Sequence, residues 1–270
     1  MTRLEASALD APRQGRGPLV LLVHGSVVGA SVTWRKQTPL AEHWTLCTPN
    51  RPGFGASPPM ERGDFEAEAP LIADLLGDGA HLVGHSYGAV IALFAAALRP
   101  EAVRSLTVSE PGSLGVAAGH PAVDAVIASG TELFRRGPEM DPRDLLLFFR
   151  AGVGSAHVTP DELEGDLLAG ARLLMRERPP WELDPPLSAL ARAPFPKLVI
   201  SGGHSDVFET VCDAVADGVG GERAVIPGRG HSIPATGAPY NERLHTFLSS
   251  CEESGYDARP WAGPSSAPSS

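Results

Sequence analysis

The stretch HLVGHSYGAVIALFAAAL, His81 to Leu98, changes its apolar period around one serine set between two glycines, Gly84-His85-Ser86-Tyr87-Gly88. Ahead of it, AHLV from Ala80 reads as a buried strand. Behind it, AVIALFAAAL reads as an apolar helix that stops at Arg99-Pro100, because proline cannot continue a helix. Ser86 is therefore expected in the tight turn between the two. Flanking glycines let the backbone turn sharply without a Cβ clash, and the helix N-terminus behind the serine favours negative charge. A serine placed in this way is a candidate nucleophile. In a chain with 30 glycines the five-residue pattern also arises by chance, so its weight comes from the strand–turn–helix context.

Working outward, short apolar runs alternate with helix-like segments from Pro18 on: PLVLLVHG, WTLCTPN, AHLVGHS, VRSLTVSE, PKLVISGG and RAVIPGRGH. Continuous apolar strands are buried on both faces, and their alternation with helices implies parallel crossovers, hence an α/β sheet covered by helices. Between the strand ending near Ser109 and the one starting at Lys197 lie more than 80 residues, too many for one crossover helix. They hold amphipathic helix candidates at 122–135, 144–150 and 161–178, read as an inserted cap. From Ser249 the sequence is rich in Ser, Pro and Gly without periodicity, and is expected to be a disordered tail.

The chain has 270 residues, 43% of them hydrophobic, with 22 Lys and Arg against 32 Asp and Glu and a net charge of −10. One large α/β domain is the expectation. No basic stripe runs along an expected helix, which argues against nucleic acid or an anionic membrane as partner. The first residues carry no apolar leader, and the longest apolar run falls short of the ~20 residues that cross a bilayer. Three cysteines, Cys47, Cys212 and Cys251, lack metal-ligand spacing and form no even disulfide set, so a reducing, cytoplasmic location is expected. No His/Cys/Asp cluster has ligand spacing and no phosphate-cradling loop is present, so neither metal nor organic cofactor is expected.

A serine hydroxyl is a weak nucleophile and needs a base, usually histidine, oriented by a carboxylate. Among nine histidines, His231 follows a predicted strand in AVIPGRGHSIP, where Gly228 and Gly230 let the loop fold back over the sheet edge; it is the expected base. His24 and His85 adjoin glycine turns and are read as loop-holding residues. For the carboxylate two residues stand: Asp206 in GGHSDVF, favoured because its loop precedes the His-bearing strand, and Glu110 in SLTVSEPG, at a core strand end where a lone charge would be costly. Two backbone N–H groups are needed for a developing oxyanion. Tyr87, after the serine, is one candidate; Ser26, after His24-Gly25, is the other, with Val27 as fallback. Of the cap residues Leu145, Leu146, Phe148, Phe149, Leu173, Leu174 and Met175, most are expected to pack internally and a minority to face a ligand.

Taken together, VHGS, NRPGFGAS, GHSYG, GGHSD and GRGHS, in that order over residues 18–248, resemble the α/β-hydrolase family. The resemblance implies an α/β-hydrolase fold: a mostly parallel central sheet flanked by helices, with a helical cap inserted after the sixth strand. The core would be 18–111 and 195–248, the cap 112–194 and the tail 249–270. The chain order serine, acid, histidine matches the family's triad. The double glycine Gly202-Gly203 departs from the usual acid loop and leaves Glu110 open, and the segment before Pro18 is short for the leading strands. The implied activity is hydrolysis of a small or medium ester or lactone through an acyl-enzyme on Ser86. A thioesterase, a cofactor-free haloperoxidase-like enzyme or lyase, and a catalytically silent ligand-binding protein are the alternatives. A dinucleotide-binding enzyme lacks its G-x-G-x-x-G, and an aspartyl-nucleophile enzyme lacks its Asp at position 86. Substrate identity and oligomeric state are not legible.

Overall fold

The computed structural model describes residues 4–154 and 164–254. Seven strands form one sheet: β1 (Arg13–Gln14), β2 (Leu19–Val23), β3 (Thr45–Cys47), β4 (Ala80–His85), β5 (Val103–Ser109), β6 (Lys197–Ser201) and β7 (Glu222–Val225). Their order is β1-β3-β2-β4-β5-β6-β7, parallel throughout except for the antiparallel β1–β3 pair. The chain leaves β2 toward β3 and returns to place β4 on the other side of β2. This reversal opens a crevice at the carboxyl ends of β2 and β4, where open α/β sheets place their ligands.

The central strands are buried because both faces are covered. All six residues of β4 and all five of β6 are buried, whereas β7, at the edge, is not. Leu21 and Val23 of β2 join a large apolar cluster with α2 (Phe65–Leu75), α3 (Tyr87–Leu98), α7 (Leu187–Arg192) and α8 (Asp206–Val219). Val20 and Leu22 point the other way, to Ala30 of the short α1 (Ala30–Thr33), Trp34, Trp44 and α9 (Ala238–Glu253). This two-sided alternation follows from the period of two along a strand. Helix α3 is apolar around its whole circumference and has nine buried residues, as its sequence requires of a helix inside the core. Helix α2 starts at Asp64, whose carboxylate accepts from the N–H groups of Glu66 and Ala67.

Between β5 and β6 lie α4 (Pro121–Arg136), α5 (Pro142–Gly152) and α6 (Gly165–Leu174), preceding α7. Counted along this chain the insertion follows the fifth strand, since the segment before β2 supplies only the two-residue β1. Part of the helix expected over 161–178 lies outside the described residues. Leu145, Leu146, Ala171 and Leu174 form a separate apolar cluster with Val27, while Leu114, Val123 and Leu190 belong to the main core. The 112–194 span is therefore anchored at both ends in the sheet's own core. The tail boundary needs correction: α9 runs to Glu253, and Cys251 is buried. Leu244, Leu248 and Cys251 continue one stripe at helical spacing, which holds the helix to Glu253, past Ser249; residues 255–270 lie outside the described part.

A close backbone approach in the core fixes the start of α3. A Cβ on Gly88 would sit 2.3 Å from the His24 carbonyl oxygen and 2.4 Å from that of Val23, both main-chain atoms. Gly88→Ala is expected to lower unfolding free energy by about 1–3 kcal/mol, the range for overpacking a filled core. Equilibrium denaturation measures it, and an unchanged midpoint would contradict the packing described.

Candidate active site

Every candidate residue sits at the carboxyl edge of the sheet. Ser86 links β4 to α3 with φ +56° and ψ −122°, a conformation that non-glycine residues rarely adopt. Holding it costs about 1–3 kcal/mol and needs surroundings that over-determine it. The surroundings do so: the Ser86 N–H donates to the Ser109 carbonyl at 2.9 Å, and a Cβ on Gly84 would meet the Gly88 oxygen at 2.6 Å. The hydroxyl is thereby carried clear of the helix.

His231, on the loop after β7, lies with Nε2 2.9 Å from Ser86 Oγ and Nδ1 2.6 Å from Glu110 Oε2. A carboxylate accepts only, so Nδ1 carries the proton and Nε2 turns its lone pair to the serine hydroxyl. Glu110 is fully buried and has φ +41°. Its other oxygen, Oε1, accepts from the Gly202 N–H at 2.7 Å. The carboxylate is thus paired rather than left alone in the core.

The preference for Asp206 is corrected. Gly203 takes φ +63°, the chain turns outward, and Asp206 becomes the exposed first residue of α8. A carboxylate there is favoured by the helix N-terminus. Among the described residues, the ring nitrogens of His231 meet Ser86 and Glu110 and not Asp206. The double glycine that blurred the loop's register in the sequence is the turn that carries Asp206 away.

Ser26 and Tyr87 line one cavity with Ser86 and His231. Val27, the fallback, is instead packed under the cap with φ +73°, its carbonyl against Gly170 of α6. What sequence reading missed lies beneath Ser26. Its Oγ donates to Glu177, which also accepts from Arg51 Nη2 at 2.9 Å; Arg51 pairs with Glu68 at 2.8 and 3.0 Å and donates to the Gly25 carbonyl at 2.9 Å. Arg51 also lies 4.4 Å from the Tyr87 ring centroid. Burial disfavours the Arg51 charge, but Glu68 and Glu177 outweigh it and hold the guanidinium firmly protonated; burial raises the Glu68 carboxyl against the pull of Arg51. Arg51 was visible in NRPGFGAS, yet nothing local in a sequence marks an arginine as buried, since its partners are 17 and 126 residues away.

His24 and His85 hold loops, as expected. His24 Nδ1 donates to the Gly25 carbonyl at 2.8 Å while Nε2 accepts the Arg51 N–H at 2.9 Å, an arrangement only the neutral ring satisfies. Burial, reinforced by the Arg51 charge, lowers its pKa to about 3. His85 donates from Nε2 to the His231 carbonyl at 2.7 Å, and burial, then the neighbouring His231, lowers it to about 4.

The cavity has a volume of about 450 Å³. Its walls are mainly apolar, with Leu114, Val126, Leu133, Met140, Phe149, Trp181 and Phe208 among the lining residues. Phe148 is 64% exposed and also borders the cavity, whereas Leu145, Leu146 and Leu174 pack inside the cap. Among the described residues no group of three His, Cys, Asp or Glu side chains is placed to hold a metal ion, and no helix is long and apolar enough to cross a membrane. All three cysteines are buried and unpaired.

Comparison with known proteins bears on the chain as a whole. The model of the alpha/beta hydrolase family matches residues 20–243. A pimeloyl-[acyl-carrier protein] methyl ester esterase of Methylococcus capsulatus is 34% identical over 177 residues, 62% of this chain and 64% of that protein. A 2-(acetamidomethylene)succinate hydrolase of Mesorhizobium japonicum is 32% identical over 132 residues, 47% of each. The chain thus spans less than two thirds of the length of these relatives. Among solved structures, a hydrolase from Oleispira antarctica matches with TM-score 0.70 at 18% identity, over 92% of this chain and 98% of that one. A thermophilic esterase from Thermogutta terrifontis matches with TM-score 0.64 at 20% identity, over 90% and 93%. At such identities the likeness is one of fold.

The buried histidines give stability a pH dependence with a definite sign. Between pH 6.5 and about 4 the unfolded chain binds protons at His24 and His85 that the folded chain refuses, so stability present at neutral pH is lost on acidification. The slope is up to ~1.4 kcal/mol per pH unit for each ring. His85→Gln, whose amide nitrogen keeps the donor to the His231 carbonyl, is expected to lose stability less steeply in urea titrations at pH 7 and 5. Identical slopes for the two proteins would contradict this.

Proposed function

This chain belongs to the alpha/beta hydrolase family, and we propose that it hydrolyses small or medium carboxylic esters or lactones of apolar acids through an acyl-enzyme on Ser86. The observation that carries the reading is the continuous relay from Ser86 Oγ through His231 to Glu110, at 2.9 and 2.6 Å. Ser86 attacks the acyl carbon while His231 Nε2 takes its proton. Glu110 keeps the ring in the tautomer that can accept this proton and stabilises the imidazolium that results. The negative charge forming on the carbonyl oxygen is met by the N–H groups of Tyr87 and Ser26, the first at the start of α3 and the second after β2. His231 then returns the proton to the departing alkoxide oxygen. Water, activated by the same ring, releases the acid.

The apolar walls of the cavity support an apolar acyl or alkyl chain, and its volume falls within the range of small-molecule pockets. The named esterase relative supports ester cleavage, and the named hydrolase supports hydrolysis, over the lyase, haloperoxidase-like and silent-binder alternatives. Three buried, unpaired cysteines suit a reducing compartment and support action in the cytoplasm.

A fluorophosphonate probe is expected to add once to the wild-type protein and not to Ser86→Ala, read by intact mass; an adduct surviving that change refutes the assignment. With p-nitrophenyl esters, Glu110→Gln is expected to lower kcat by up to ~10⁴, because the amide supports the wrong tautomer. Asp206→Asn is expected to stay near wild type. The reverse order would return the acid to Asp206.

A further inference from the structure

Beside the Ser86–His231–Glu110 relay stands a second histidine that the relay does not use. His204, on the turn between β6 and α8, points Nδ1 at Glu110 Oε1 from 3.3 Å, at charge-pairing distance though without hydrogen-bond alignment. Its Nε2 donates to the carbonyl of Val153 at 3.2 Å. Val153 follows α5 and lines the cavity, so this one ring touches both the carboxylate that orients His231 and the wall of the substrate space. The ring also has an aromatic neighbour. It stacks on Phe208 with centroids 5.7 Å apart, and Phe208 in turn lies 4.6 Å from the His231 ring. A Cβ on Gly154 would come within 2.7 Å of His204 Cδ2, and one on Gly230 within 2.3 Å of the Gly154 oxygen. Three segments distant in sequence therefore come together around the imidazole, with glycines where the backbones approach most closely.

We propose that His204 is a positioning residue, coupling the set of the Glu110 carboxylate to the position of the cap at Val153. The proposal rests on the reading in which Glu110 orients His231. Carrying a proton on each nitrogen, the ring faces Oε1 through Nδ1 while Oε2 stays aimed at the base, and through Nε2 it holds the residue that follows α5. The two nitrogens have separable tasks, and two amides separate them. The side-chain nitrogen of asparagine overlays Nδ1, and that of glutamine overlays Nε2.

The test measures kcat and KM for a p-nitrophenyl ester in wild type, His204→Ala, His204→Asn and His204→Gln, together with the low-field proton resonance of the His231 Nδ1–H. His204→Ala is expected to lose up to ~100-fold in kcat, the size that small misplacements of catalytic groups produce. His204→Asn keeps most of kcat and raises KM. His204→Gln keeps KM and loses kcat, with the low-field resonance shifted or broadened as in His204→Ala. Unchanged kcat in all three variants, or equal losses in the Asn and Gln variants, overturns the proposal. An inactive wild type refutes the esterase reading instead; the resonance then decides for His204, and one line position and width in all four proteins overturns its role.

Discussion

The contact between the first turn of α3 and the end of β2 leaves no space for a single carbon atom. Gly88 lies against the carbonyls of Val23 and His24, and Gly25 would bring a Cβ within 2.9 Å of the Ser86 Cβ. Two adjacent parallel strands are thereby held so that the loop after one and the turn after the other share a wall. From this approach follow the left-handed conformation of Ser86, the direction of its hydroxyl, and the nearness of Ser26 to Tyr87. Parallel strands alone would give the crevice; the absent side chains give it its width.

Electrostatics underneath keeps that wall rigid. A guanidinium and two carboxylates in the core are costly unless each finds partners, and Arg51 meets Glu68, Glu177 and the Gly25 carbonyl. Glu177 comes from the insertion and Glu68 from α2, so three segments of the chain must all be in place before the charge is compensated. The Ser26 hydroxyl completes the set. Such a network weights the folded state toward a single arrangement of the loop after β2, because a half-assembled version strands a charge.

How much of this was legible follows from where each signal is written. The strands showed because burial on both faces leaves continuous apolar runs such as VLLV and LVIS, and the turn at Ser86 showed because its glycines are adjacent in the chain. His231 was readable from its glycine-flanked loop. The sequence favoured Asp206 over Glu110, whereas the geometry depends on the sign of φ at Gly203 and Glu110 rather than on residue type. The end of α9 was misread because the stripe ending at Cys251 is helical while Ser249 and Ser250 suggest a linker. Arg51, Glu68 and Glu177 look like solvated charges in a sequence; only their convergence, over separations of 17 and 126 residues, makes them interior.

Gly170 on α6 lies so close to Val27 that a Cβ would fall 1.7 Å from the Val27 carbonyl oxygen. That crowding divides the inserted helices into two classes of evolutionary freedom. A helix whose backbone rests on a strained main-chain loop cannot accept even a methyl group at the contact, so position 170 of α6 is closed to larger residues. By contrast, α4 and α5 meet the cavity through side chains such as Val126, Leu133 and Phe149, whose volumes can be traded against one another. A library meant to reshape the cavity therefore has its productive positions on α4 and α5 rather than at the α6 contact.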